Sequence, residues 1–150
     1  MGFNVKLHLG VYDAPHEEGN TVYQVAKDLE RRYEIIGNFA DAYLPVIADH
    51  LAMGLQNALG AIVDNGHFAP DPFASGCAAI DQQFKTFLDR EGMAIFSPLV
   101  PTDAALKGWS SRLKKFTGVR RPSFIDTGLY RANFHSWVDQ PGATNADSAE

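Results

Sequence analysis

Ser123, Asp126 and His135 are the three residue types of a hydrolase triad, and they occur close together near the C-terminal end of the chain. Such a triad works only when the serine, the histidine base and the orienting carboxylate converge in space. The G-x-S-x-G elbow that exposes the serine in many hydrolases is absent from the sequence. The residue types are present without the spacing that hydrolysis needs, and we expect no enzyme.

Metal-binding and redox chemistry have equally little support. The five histidines stand apart from one another, and His16 lacks the second histidine that a zinc-protease motif requires. Cys77, the single cysteine, follows Gly76 at a predicted helix start, where a thiol is activated, but a small buried apolar side chain is the favoured interpretation. Phosphate-binding glycine loops are also absent. We therefore expect no metal and no cofactor.

The charge distribution contains one unusual feature. The net charge is −5, which argues against general nucleic-acid binding as the main role. Segment 107–121 is nevertheless basic, and no acidic residue stands between Asp103 and Asp126. It could dock on an acidic surface of a neighbouring subunit, contact phosphates, or form a solvated helix face. Its cations are Lys107, Arg112, Lys114, Lys115, Arg120 and Arg121.

Hydrophobic periodicity predicts the elements that would position these residues. Alternation with period two over residues 3–12 indicates a half-buried strand. Thr21 and Gln24 have capping-box spacing at the start of a helix over 21–35. Gly37–Asn38 indicates a break before a longer helix at 39–62, with a kink or a helix start near Pro45. Its predicted apolar face is Tyr43, Leu44, Ile47, Leu51, Leu55, Leu59 and Ile62.

The second half of the chain is predicted to add helices at 77–91 and 103–117, the latter with Leu106, Trp109, Leu113 and Phe116 on its apolar face. Residues 129–139 fit a short helical turn that leads into a strand. Together these elements predict one α+β domain over 1–139, in which a small antiparallel sheet of 3–12 and 133–139 packs with about four helices. The small, polar segment 140–150 is expected to be disordered.

Irregular segments rich in aromatic residues and proline are the expected interfaces. They are the loop 64–76 and the extended segments 93–101 and 119–125, since such chain cannot bury itself in regular structure. The aromatic candidates are Phe68, Phe73, Phe96 and Phe124. No apolar run approaches the length of a membrane span, so we expect a soluble protein without a membrane partner.

Three short blocks resemble tailed-phage virion proteins. The segment Pro122–Tyr130, which contains Asp126–Thr127–Gly128, is similar to a turn near the C-terminal end of phage tail-completion and minor tail proteins. The segments 21–33 and 100–108 look like uncharacterised phage virion proteins. The resemblance extends over residues 3–139 and implies a structural subunit of the head–tail connector (neck) or the tail. A baseplate or tail-tube-associated protein is the alternative location, and a nucleic-acid-binding accessory protein is the alternative class.

The resemblance also implies partners and a location. It implies a homo-oligomeric ring that contacts neighbouring neck or tail proteins, in a virion assembled in the host cytoplasm, close to packaged DNA but without sequence-specific binding. Asp126, Thr127 and Gly128 are interpreted as a structural turn, in which the Asp126 carboxylate accepts backbone N–H groups and Gly128 tolerates a tight backbone. Aspartic proteases also use Asp-Thr-Gly, but a chain this rich in predicted helix does not suit that fold.

Overall fold

The computed structural model describes residues 5–15, 19–110, 115–125 and 128–139. Within these ranges the elements confirm the predicted α+β class. The helices are α1 (Val22–Tyr33), α2 (Ile35–Ala42), α3 (Leu44–Asn65), α4 (Ala74–Asp89), α5 (Asp103–Lys107) and α6 (Leu129–Asn133). The strands are β1 (Leu7–Val11), β2 (Trp109–Ser110), β3 (Lys115–Phe116) and β4 (Phe134–Val138).

The first and last strands pair with each other, as the sequence predicts. β1 and β4 are antiparallel, with Leu7 opposite Val138 and Val11 opposite Phe134. Successive side chains of a strand point to opposite faces, so the leucines and valine of β1 pack against the core. The helical turn α6 leads directly into β4, which confirms the predicted order of helix and strand at 129–139.

The outward face of this sheet carries a row of stacked rings. Tyr12 stacks on His135 at a centroid distance of 3.6 Å, His135 on Trp137 at 4.6 Å, and Trp137 on His8 at 5.1 Å. A Cβ atom at Gly10 would lie 3.3 Å from the Trp137 ring, so the ring lies close over the glycine. Partial burial beside these neighbours lowers the pKa of His135.

The start of α1 has the predicted capping box. The Thr21 hydroxyl accepts a hydrogen bond from the Gln24 backbone N–H at 3.3 Å, and the Gln24 side chain accepts one from the Thr21 N–H at 3.0 Å. These two bonds satisfy donors that the first helical turn leaves without partners.

The break after α1 lies three residues earlier than predicted. Glu34 adopts a left-handed backbone (φ 51°), whereas Gly37–Asn38 lies inside α2. The Glu30 carboxylate accepts hydrogen bonds from the N–H groups of Ile36 and Gly37, at 2.8 and 2.9 Å. A carboxylate at a helix N-terminus accepts hydrogen bonds from backbone N–H groups that have no partner within the helix, and its negative charge interacts favourably with the helix dipole. This contact, which the sequence pattern does not reveal, stabilises the start of α2 immediately after the break at Glu34.

The predicted helix 39–62 is in fact two helices. α2 ends at Ala42, and α3 begins at Leu44 with Pro45 in its first turn, where the missing proline N–H costs no hydrogen bond. Of the predicted apolar face, Ile47 is buried, Tyr43 and Leu51 are half-buried against the core, and Leu44 is exposed.

The centre of the core is a cluster of phenylalanine rings. Phe39 of α2 lies 5.1 Å from Phe84 of α4, edge to face, and Phe84 stacks on Phe134 of β4 at 3.8 Å. The apolar face predicted for 77–91 is confirmed, since Ile80, Phe84, Phe87 and Leu88 are all buried. Edge-to-face and offset pairs stabilise by about 0.5–1.5 kcal/mol beyond their buried area.

α3 and α4 pack closely and run antiparallel. A Cβ atom at Gly54 would lie 2.9 Å from the Gly76 backbone nitrogen, and one at Gly76 would lie 2.6 Å from the His50 carbonyl oxygen. At the opposite end, Tyr43 packs edge to face on Phe87 with centroids 5.7 Å apart. Gly54 therefore confirms the close helix packing suggested by its position, whereas Gly60 has nothing within 4 Å of its missing Cβ.

The predicted fourth helix, 103–117, is confirmed only over Asp103–Lys107 and is wrong at 108–110 and 115–117, while residues 111–114 lie outside the described ranges. Thr102 caps α5 as predicted, but Gly108 takes a left-handed backbone (φ 64°) and the chain turns into the β2–β3 hairpin. A Cβ atom at Gly108 would lie 2.4 Å from the Val119 carbonyl oxygen, so the returning chain passes close to this turn and leaves room only for glycine. The proposed apolar face is not formed: Leu106, Trp109 and Phe116 are exposed, and Leu113 lies outside the described residues.

An ion pair connects the end of α4 with α6. The Arg131 guanidinium donates two hydrogen bonds of 2.7 Å to the Asp89 carboxylate, and this bonding lowers the pKa of Asp89. A depressed folded-state pKa stabilises the fold above the unfolded pKa of about 3.9, and the contribution is lost as the pH falls through the folded-state value.

We expect Asp89→Asn to lower the free energy of unfolding by about 0.5 kcal/mol at pH 7, because both side chains are partly exposed and solvent screens the pair. The difference between variant and wild type should shrink as the pH falls below about 4. Urea denaturation of both proteins at pH 7 and at a pH below about 4 measures this difference in the free energy of unfolding. A difference that does not change with pH would show that the carboxylate charge is not its cause.

Candidate functional site

The C-terminal half of α3 extends beyond the helix that covers its first half. Gly54 lies against Gly76, close to the start of α4 at Ala74, and α3 continues to Asn65. Residues 55–65, hereafter the α3 overhang, therefore project roughly 16 Å past this contact at 1.5 Å per residue.

The α3 overhang presents apolar side chains to solvent. Leu55, Leu59 and Val63 recur every four residues, which places them along one stripe of the helix. Their exposed fractions rise towards the tip, from 36% through 54% to 84%. The predicted burial of Leu55 and Leu59 is therefore wrong, and Ile62 is half-buried. Between His50 and Asp64 the sequence has no charged residue, so this surface is apolar without charged neighbours on the helix.

By length and composition alone, α3 is apolar enough to cross a membrane, and it is the one such helix in the described part of the chain. The expectation that no segment reaches this length is therefore wrong by that measure. α3 nevertheless carries Asp49 and the adjacent amides Gln56 and Asn57, and hydrocarbon disfavours such groups.

A second exposed apolar surface follows α4. The predicted extended segment 93–101 begins instead with a 3₁₀ turn, Gly92–Ile95, and Met93 is buried beneath it. The next six residues, 94–99, contain no charged residue and are exposed except at Ser97. Ile95 is 83% exposed and Leu99 is 65% exposed. These residues are hereafter the 94–99 turn.

The two apolar surfaces lie at opposite ends of the α3–α4 pair. The ring of Phe96 lies 6.5 Å from that of Phe87, which also packs on Tyr43 at the beginning of α3. The 94–99 turn is therefore beside the N-terminal end of α3, and the overhang is at its C-terminal end. The length of α3 separates them by roughly 30 Å.

The basic segment 107–121 is not one helix face. Lys107 is exposed at the end of α5, Arg112 and Lys114 lie outside the described residues, and so does the side chain of Lys115. Arg120 pairs with Glu91. Arg121 donates to the carbonyl oxygens of Ile125 and Trp109, both at 3.2 Å. Two of the six cations thus hold the local fold together.

Glu91 is the residue around which this region is organised. Its side chain is 15% exposed, and its carboxylate accepts hydrogen bonds from the backbone N–H and the hydroxyl of Ser123, at 3.3 and 3.2 Å. The Ser123 hydroxyl oxygen accepts in turn from the Thr102 N–H at 3.0 Å. Glu91 therefore connects the end of α4 with the start of α5 and with segment 119–125. The sequence pattern had not singled it out.

The four aromatic interface candidates fall into two groups. Phe68 is 73% exposed in the loop after the α3 overhang, and Phe96 is exposed in the 94–99 turn. Phe73 is half-buried just before α4. Phe124, with a positive φ of 68°, packs edge to face on Tyr33 at 4.8 Å. Phe68 and Phe96 are therefore available to a partner, whereas Phe124 contributes to the packing of this chain.

The turn Asp126–Thr127–Gly128 can be described only at its last residue. Asp126 and Thr127 lie outside the described residues, so the predicted capping role of Asp126 stays a prediction. Gly128 has a φ of 78° and directly precedes α6. This left-handed backbone suits glycine, as the sequence indicates.

The residues that could support catalysis are engaged elsewhere. Ser123 is buried and bonded to Glu91, whereas His135 is stacked between Tyr12 and Trp137. Cys77 is buried in the first turn of α4, and burial raises the pKa of its thiol, the opposite of activation. No group of three His, Cys, Asp or Glu side chains within the described ranges could hold a metal ion.

A groove between β1 and the helices α1 and α2 is lined by charges of both signs. Lys27 and Arg31 face it together with Glu34 and Asp41. Glu30 also lines it, but its carboxylate already caps α2. The described lining of the groove thus combines mixed charge with no serine, cysteine or histidine, and the two apolar surfaces remain the stronger candidates for function.

No protein-family model, no curated protein and no solved structure matches this chain.

Proposed function

We propose that this chain is a non-enzymatic structural subunit of a tailed-phage particle, which forms a homo-oligomeric ring at the head–tail connector or completes the tail. The observation that carries the proposal is the α3 overhang, where Leu59 and Val63 are 54% and 84% exposed, so the described part of the chain leaves this stripe of the helix uncovered. Large apolar surfaces on a folded domain are characteristic of interaction sites. A subunit that is covered by its neighbours after assembly has a use for such a surface.

The sequence resemblance gives this surface a biological setting. The three blocks similar to phage virion proteins include α1, the beginning of α5 and the approach to α6. These elements lie on the body of the domain, whereas the overhang extends from it. A folded body with a projecting apolar helix suits a subunit that joins neighbours, as the proposed neck or tail-completion role requires.

The nucleic-acid-binding alternative has less support. It requires segment 107–121 to present its cations to phosphates, yet Arg120 is paired with Glu91 and Arg121 is bonded to backbone carbonyl oxygens. A phosphate-binding protein should lose DNA affinity steeply as the salt concentration rises, whereas a structural subunit should show little affinity to lose. A salt titration of DNA binding separates the two.

Electron microscopy of particles from a nonsense mutant in the encoding phage tests the proposed function. We expect DNA-filled heads and separate tails of normal length, because the joint between them would be missing. Heads without tails, or with tails of aberrant length, would move the protein to the tail tube or the baseplate. Intact, infectious particles would contradict the structural role.

A further inference from the structure

We propose that copies of this chain join head to tail, with the α3 overhang of one copy packed on the 94–99 turn of the next. This inference rests on the proposed function and specifies which surfaces make the contact. Both surfaces are apolar and exposed, and Val63 and Ile95 are their most exposed large side chains.

The positions of the two surfaces determine the type of assembly. Because they lie at opposite ends of the α3–α4 pair, a contact between them leaves one free overhang and one free turn at the ends of every chain of subunits. Such a heterologous contact forms a ring where the rotation between successive copies closes, and an open filament where it does not. The ring is the form that the proposed function requires. A contact between two overhangs would instead be self-complementary and would stop at a dimer.

Charge complementarity identifies a second copy as the partner. The sequence has no lysine or arginine between Arg32 and Lys85 but six acidic residues, among them Asp64 at the overhang and Asp71 in the following loop. Residues 85–121 hold eight of the thirteen lysines and arginines and three acidic residues. The overhang thus belongs to an acidic region and the 94–99 turn to a basic one. Opposite fields of this kind guide association and determine register.

Local geometry places Arg90 beside the turn. It is exposed at the end of α4, next to Glu91, whose carbonyl oxygen accepts the Ala94 N–H at 2.9 Å, whereas the charge of Arg120 is offset by its pairing with Glu91. A lipid surface is a poorer partner for the overhang, because helices that lie on membranes use lysine and arginine beside their apolar face. The overhang has neither residue, and its charged end is Asp64.

Two double variants of the full-length chain test the arrangement. The overhang variant carries Leu59→Lys with Val63→Lys, and the turn variant carries Ile95→Gln with Leu99→Gln, so that the two altered surfaces do not attract each other in a mixture. All four side chains are more than half exposed, so the substitutions leave the core intact. Tyr23→Lys, at an exposed position on α1, is the matched control. Circular dichroism establishes that each variant is folded, and light scattering with native mass spectrometry gives the masses.

We expect the wild type and Tyr23→Lys to form oligomers larger than a dimer. Each double variant alone should be monomeric, with the concentration for half-assembly raised by about tenfold or more, as for loss of a central apolar contact. An equimolar mixture of the two double variants should form a dimer and nothing larger, because one intact overhang meets one intact turn.

Three results would overturn the inference. The first is a wild type that remains monomeric at about 100 μM, a concentration well above the dissociation constants typical of specific contacts. The second is a turn variant that assembles like the wild type while the overhang variant does not, which would mean that overhangs pair with each other. The third is flotation of the wild type, but not of the overhang variant, with phosphatidylcholine vesicles, which would assign the overhang to lipid. The nonsense-mutant particles test the proposed function independently of these variants. The proposed function and the proposed head-to-tail contact can therefore each fail without the other.

Discussion

Replacing Glu91 by alanine is expected to lower the free energy of unfolding by about 2–3 kcal/mol. The buried Ser123 would lose the acceptor for its backbone N–H and its hydroxyl, and a buried donor without a partner costs about 1–3 kcal/mol. Arg120 would lose its carboxylate partner as well. Urea denaturation at pH 7 measures the change.

Two controls separate these hydrogen bonds from other effects at Glu91. Glu91→Gln retains an acceptor oxygen for Ser123, so we expect a smaller loss of about 1 kcal/mol. Glu34→Ala removes the same side chain from an equally left-handed backbone (φ 51° against 52°), but at an exposed position, where the expected change is within about 0.5 kcal/mol. Similar losses for Glu34→Ala and Glu91→Ala would show that backbone strain or net charge, rather than hydrogen bonding, explains the result.

Gly76→Ala should destabilise the protein by about 1–3 kcal/mol, the usual cost of overpacking a tight contact. Its Cβ would lie 2.6 Å from the His50 carbonyl oxygen, and the backbone of α3 would have to move away. The substitution would therefore also loosen the helix pair that holds the α3 overhang and the 94–99 turn in their relative positions. Thermal unfolding of the monomeric overhang variant, with and without Gly76→Ala, measures this cost without a contribution from assembly.

Gly60→Ala is the matched control and should have the opposite sign. Gly60 lies in α3 with nothing within 4 Å of its missing Cβ, and its helical backbone suits alanine. Helix propensity alone predicts a gain of up to about 1 kcal/mol. Destabilisation by Gly60→Ala comparable with that by Gly76→Ala would mean that close helix packing is not the reason for the glycine at position 76.

Several features follow from local sequence alone. The capping box at Thr21, the helix start at Pro45 and the left-handed Gly128 each depend on interactions within a few residues, so residue type and spacing determine them. The alternation that becomes β1 and the spacing of buried side chains on α4 are local in the same sense. These patterns are sufficient to predict the α+β class, and to predict that the first strand pairs with the last.

The tertiary structure decided the remainder, because the contacts involved join residues distant in sequence. The pattern of Leu106, Trp109 and Phe116 fits a helix, yet α5 ends at the left-handed Gly108, where the chain returning through Val119 packs against the glycine backbone. Leu55 and Leu59 continue the apolar pattern of Ile47. Periodicity cannot tell whether a helix face meets its own chain or another molecule, and the start of α4 at Ala74 leaves their part of α3 uncovered. Local sequence thus determined that α3 has an apolar face, and tertiary packing determined that the C-terminal half of this face is exposed.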